Sequence, residues 1–146
     1  MIKCIIAALI LRLIFSIFAE LIGIPSELGR GNTITLSDEE IKSKLVDFVI
    51  IAPIIETLLT QQLIYEALKR YLNISFVLLI SAAIFGAIHF LHGLQFMVEA
   101  FSTGLVLSYT YIAWRPESKS QAFWMTVALH ALLNGIAVTV GFCFND

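Results

Sequence analysis

Five long apolar runs leave this 146-residue chain few ways to fold. They cover about residues 2–24, 45–68, 74–91, 94–114 and 123–144. Each is close to the roughly 20 residues that a helix needs to cross a bilayer. Inside lipid, the backbone of such a run can satisfy its own N–H and C=O groups only by coiling into a helix. The expected fold is therefore all-α, a polytopic transmembrane helix bundle of about five spans. Composition agrees: 59% of residues are hydrophobic and 14% charged, with a mean hydropathy of +0.91. A soluble domain has roughly 45–50% apolar and about 25% charged residues. The net charge of -2 and the lack of a basic patch give nucleic acid nothing to bind.

The first run holds only Lys3, Arg12 and Glu20 as charges. It is longer than the apolar part of a signal peptide, and no small-x-small site follows it, so residues 1–24 are expected to be a retained transmembrane helix. Arg12 and Glu20 share a face and would turn toward protein or an interface. Residues 25–44 form the one polar segment, a loop with a short amphipathic lead-in. Ser37 can cap that lead-in, with Glu40 completing a capping box. Residues 45–144 make up the core. Pro53 lies inside its first helix, where it frees a carbonyl and is expected to kink the chain. Gly93 permits a tight turn, and residues 115–120 are a loop. Trp114 and Trp124 flank that loop as interfacial anchors. Cys4 and Cys143, near opposite ends, suit neither a disulfide framework nor a metal motif. With the N-terminus inside, Lys3, Lys69, Arg70, Arg115 and Lys119 face Arg30, Lys42 and Lys44 across the membrane, which favours that orientation.

Polar residues inside these runs are costly and usually mean function. Glu56, His89, His130 and Asn134 fall at depths of roughly 20, 28, 17 and 22 Å from one membrane side at 1.5 Å per residue. They can meet in one layer of the bundle. His130 and Asn134 are i,i+4 and share a face, as do Phe85 and His89, so a ring can pack below the imidazole. Thr57 and Gln61, also i,i+4, could hydrogen-bond to each other beside Glu56. Gly86 and Ala87 leave room for a neighbouring helix. Glu99 would line a cavity or lie near its mouth, while Glu66 and His92 read as boundary residues. A carboxylate taken out of water is a stronger base, and beside an imidazole it can deprotonate a water held between them. A second imidazole and an amide can stabilise the oxyanion formed when that water attacks a carbonyl. The same groups could instead bind Zn²⁺, although no HExxH motif is present and the His89/His92 pair straddles a helix end. They could also be interhelical glue, or Glu56 could be the proton site of a small transporter.

Three motifs in order sharpen the choice. Glu56-Thr57-Leu58-Leu59-Thr60-Gln61, preceded by Ala-Pro-Ile, is similar to a Glu-Glu-x-x-x-Arg helix. Phe85-Gly86-Ala87-Ile88-His89 matches Phe-x-x-x-His, and His130-Ala131-Leu132-Leu133-Asn134 matches His-x-x-x-Asn. Together, over about residues 45–143, they resemble the CPBP family (CAAX prenyl protease type II and bacteriocin-processing proteins, also called Abi) of glutamic-type intramembrane proteases. The stretch from Phe101 to Leu105 is similar to that family's intervening Gly-containing helix. The resemblance implies a compact four-helix core over residues 45–144 and metal-independent peptide hydrolysis with no cofactor. Glu56 and His89 would activate water, and His130 with Asn134 would form the oxyanion hole. Thr57, Gln61 and Phe85 would support them. Thr57 and Gln61 stand where the family has Glu and Arg, so an ion pair becomes a neutral pair with local charge balance kept. The implied partner is a membrane-associated peptide or protein substrate in the lipid bilayer. The expected location is a bacterial inner membrane. The rival reading is a non-catalytic immunity or scaffold protein of the same fold. Oligomeric state has no signature in the chain.

Overall fold

The computed structural model describes residues 38–144, together with Ile6, Ile10, Leu13, Ile14, Ile17 and Leu21 of the first apolar run, which are helical and exposed. Arg12, Glu20, Cys4, the 25–37 loop and the Ser37 cap lie outside the described residues. From residue 38 to residue 144, four helices follow one another with no strand. Helix α1 covers residues 38–68, α2 is Ile74–Ile88, α3 is Leu94–Trp114 and α4 is Lys119–Phe144. The stretches Lys42–Leu68, Leu94–Trp114 and Lys119–Thr139 are long and apolar enough to cross a membrane. Helix α2 is shorter, with 15 residues.

That shortness matters for the site. Fifteen residues rise roughly 22 Å, less than the ~30 Å hydrocarbon core. The sequence predicts a run to residue 91, but the α-helix stops at Ile88. His89 caps it, and Phe90–His92 makes a single 3₁₀ turn before Gly93. Gly93 has φ 108°, a conformation that a side chain would strain, so glycine is needed there. Residues 70–73 are turn and not helix, which brings the depth of His89 down from roughly 28 Å to roughly 22 Å, level with Asn134.

Helix α1 departs from a regular spiral twice. Residues Asp47–Ile51 and Thr57–Leu63 are π-helical, separated by the α-helical Ala52–Glu56. The first π segment ends beside Pro53. In this wider register the Ala52 N–H bonds to the Asp47 carbonyl. The next donor in line, at Pro53, does not exist, so the Phe48 carbonyl has no partner within the helix. The amide of Asn134 on α4 supplies one, with Nδ2 donating to Phe48 O at 2.8 Å. The freed carbonyl that Pro53 implies is thus used to tie α1 to α4.

Burial runs opposite to that of a soluble bundle. The inward face of α1 carries Pro53, Thr57, Thr60 and Gln61, all buried, while Ile51, Ile55, Leu58, Leu59 and Leu63 are exposed. Lipid solvates the outer leucines, and the buried polar groups bond between helices. Ser108 Oγ donates to Ser81 Oγ at 2.8 Å, and Ser81 Oγ donates to the Thr60 carbonyl, linking α3, α2 and α1. Helices α2 and α3 pack most intimately, through glycines. A Cβ on Gly86 would sit 2.9 Å from Phe101 Cβ, and one on Gly104 would sit 3.0 Å from Phe85 Cβ. Ala87, expected to share this role with Gly86, is exposed, and Gly104 takes its place because it lies on the facing helix.

At the other end of the bundle, Glu66 is not simply a boundary residue reaching for water. Its carboxylate pairs with Lys69 and with Arg115, whose Nη2 lies 3.3 Å from Oε2, and accepts from Tyr111 OH at 3.3 Å. This cluster joins the end of α1 to the α3–α4 loop.

Candidate active site

Glu56 lies in the middle of α1, at the junction between its α-helical and second π-helical segments. His89 closes α2, and His130 and Asn134 stand one turn apart on α4. The bundle brings all four to one cavity, whose wall also includes Phe48, Phe85, Phe96 and Glu99. The cavity has about 60 Å³ of free space. A water needs roughly 10–15 Å³ on this measure, so a few waters fit.

The carboxylate faces two imidazoles. Glu56 Oε2 is 3.5 Å from His130 Nε2 and 4.0 Å from His89 Nε2. The far side of each ring fixes what the near side can do. His89 Nδ1 lies 2.7 Å from the Phe85 carbonyl, and a carbonyl only accepts, so Nδ1 carries the proton. In a neutral imidazole, Nε2 then offers a lone pair toward Glu56. Two acceptors 4.0 Å apart do not bond directly, but a water can donate one hydrogen to each. His130 is buried, and its Nε2 faces the same carboxylate oxygen.

Phe85 spaces the two rings. It is 2% exposed. Its ring centroid is 4.9 Å from that of His89 and 5.3 Å, edge-on, from that of His130. Phe96 stacks on the other side of His89 at 5.9 Å with an interplanar angle of 29°. Sequence reasoning missed Phe96, because it stands on the next helix and spacing along the chain does not say that it returns to His89. The turn at Gly93 is what folds the two together. Glu99 lines the cavity, as expected, and accepts from Gln95 Nε2 at 3.2 Å.

One expected contact does not form. Thr57 and Gln61 do not hydrogen-bond to each other. Both are fully buried, yet Thr57 Oγ1 turns to His130 Nδ1 at 3.5 Å, and neither polar atom of the Gln61 side chain has a partner. Sharing the inward face of α1 is not enough to join them, because the Thr57 hydroxyl is directed across to the imidazole on α4. Among the described residues, no group of three or more His, Cys, Asp or Glu is arranged to hold a metal ion.

A helical membrane bundle with a glutamate and two histidines converging on a small cavity defines a class, the helical membrane proteins with a polar cluster inside the bundle. The family follows from the sequence as a whole. Residues 41–136 match the model of the type II CAAX prenyl endopeptidase Rce1-like proteins, and the chain belongs to that family. Neither curated proteins nor solved structures give a match. Family membership and the apolar helices make this an integral membrane protein with CAAX-protease-type activity.

Proposed function

We propose that the chain is a glutamic-type endopeptidase that hydrolyses a membrane-associated peptide without a metal. One observation carries this reading: the Glu56 carboxylate faces both imidazoles within 4.0 Å, across a cavity with room for water. A water donating to Glu56 and to His89 Nε2 has its oxygen lone pair directed into the cavity. As that oxygen bonds to the peptide carbonyl carbon, one of its protons passes to Glu56, and the carbonyl oxygen becomes an oxyanion. His130 Nε2–H and the second N–H of Asn134, the one not given to Phe48, donate to it. The C–N bond then breaks, and the proton held by Glu56 goes to the leaving amine, so atoms and charges balance. Residues 45–144 would form the protease core, and residues 1–24 an added transmembrane helix. A bacterial cytoplasmic membrane is the proposed location.

The test is cleavage of a peptide library by the purified protein in detergent, beside Glu56→Gln and His89→Ala. Wild type should cleave, and each variant should fall by about 10²- to 10⁴-fold, the usual contribution of a positioned acid–base group. A chelator should leave the rate unchanged. Equal rates in wild type and variants, or no cleavage at all, would leave a non-catalytic membrane protein of the same fold. Loss on chelation restored by Zn²⁺ would replace the mechanism with a metal-based one.

A further inference from the structure

Position 57 breaks the family's motif, and the residue there is placed where it can act on the site. Thr57 is fully buried, as is nearly all of His130. Thr57 Oγ1 lies 3.5 Å from Nδ1 of His130, while Nε2 of the same ring lies 3.5 Å from Glu56 Oε2. A neutral imidazole has one proton for two nitrogens. If Nε2 keeps it and donates toward the carboxylate, Nδ1 is left as a buried acceptor that needs a donor. The Thr57 hydroxyl can rotate to be that donor. Thr60, one turn on, spends its hydroxyl on the Glu56 carbonyl of its own helix, whereas the Thr57 hydroxyl is turned to the ring on α4. An ionised carboxylate at this position could only accept, and would favour the opposite tautomer or a charged ring.

We propose that Thr57 is a positioning residue whose hydroxyl donates to His130 Nδ1 and holds the ring in the tautomer that presents Nε2–H to the cavity. The proposal rests on the reading of His130 as the oxyanion donor, and it says why this chain works with a threonine where a carboxylate is usual. The hydroxyl would touch neither substrate nor water. It acts through the imidazole, so its loss moves the protonation pattern of that ring as well as the rate.

The experiment is ¹⁵N NMR of histidine-labelled protein in detergent at neutral pH, with the His130 signals identified by their loss in His130→Gln. Wild type should show His130 protonated at Nε2. Thr57→Val, which keeps the shape without the hydroxyl, should show the Nδ1-protonated form or a mixture. Its kcat should fall about five- to tenfold, the worth of one neutral hydrogen bond, with KM little changed. Thr57→Ser should restore both. An Nδ1-protonated or doubly protonated His130 in wild type overturns the proposal, as does an unchanged tautomer in Thr57→Val. Should Thr57→Val fail to fold, Thr57→Ala, which also lacks the hydroxyl but is smaller, takes its place with the same expected shift. If no peptide is cleaved by wild type, the catalytic reading fails on its own, and the spectra still report whether Thr57 sets the tautomer.

Discussion

Asn134 has two N–H groups with different tasks, and substitution can separate them. One donates to Phe48 O at 2.8 Å, the carbonyl left open by Pro53 in the π register. The other is the one proposed to donate to the oxyanion. Asn134→Ala should therefore lower stability in detergent by about 1 kcal/mol, the scale of an interhelical hydrogen bond in membranes, while also cutting kcat. Pro53→Ala restores a backbone N–H at the right place. In the double variant the stability loss should be smaller than the sum of the single losses, by about 0.5–1 kcal/mol, but kcat should stay low. Thermal unfolding read by circular dichroism, set beside peptide cleavage, checks both parts. Equal recovery of stability and activity would show that Asn134 only holds α1 to α4. The i,i+4 spacing of His130 and Asn134 already put them on one face; that one amide hydrogen would go to another helix was not legible, because it depends on a carbonyl 86 residues away.

At the scale of elements, the α2–α3 pair is held by what its glycines omit. Gly86→Ala brings a Cβ to 2.9 Å from Phe101 Cβ and 3.0 Å from Met97 O. The second neighbour is backbone and cannot swing aside, so α2 must shift. That overpacking should cost about 1–3 kcal/mol and move His89 with it, lowering both melting temperature and activity. Gly135 on α4 is the control, since a Cβ there meets nothing within 4 Å. Gly135→Ala should leave melting temperature equal or slightly higher, because alanine loses less backbone freedom in a helix. Parallel melting curves of the two variants would decide. Small residues flanking His89 were visible in the sequence and rightly suggested a close approach there. Ala87 was chosen in place of Gly104 because spacing along one helix cannot say which residue of the next helix completes the contact.

Over the whole molecule, the cavity and the ionic cluster lie toward opposite ends of the bundle. Glu66, Lys69 and Arg115 gather where α1 ends and the α3–α4 loop begins, while His89 sits at the α2–α3 turn. The Glu66 carboxylate holds the Arg115 guanidinium above its already high pKa by hydrogen bonding. All three side chains are 22–28% exposed. Arg115→Gln should therefore cost only about 1 kcal/mol and leave cleavage nearly unchanged; a melting curve and the peptide assay check this. Lys69, Arg70, Arg115 and Lys119 all lie at this end, so it should face the cytoplasm and the cavity should open toward the other side. With Cys4 and Cys143 replaced by alanine, labelling by an impermeant thiol reagent should reach Glu117→Cys only after the membrane is opened, and His92→Cys without opening. The reverse pattern would invert the topology.

Helix class, membrane residence and the placing of Glu56, His89 and His130 on three separate helices were all determined by the sequence alone. Apolar length and the cost of buried charge act locally, within each run. The tertiary structure decided which atoms meet. Periodicity specifies the face of a helix but not its rotation or axial offset against a neighbour. Those were set by the glycine contacts of α2 and α3, by the short α2 that ends at His89, and by the π turns of α1. From them follow the two Nε2 atoms facing one carboxylate, and the turn of Thr57 away from Gln61 toward His130.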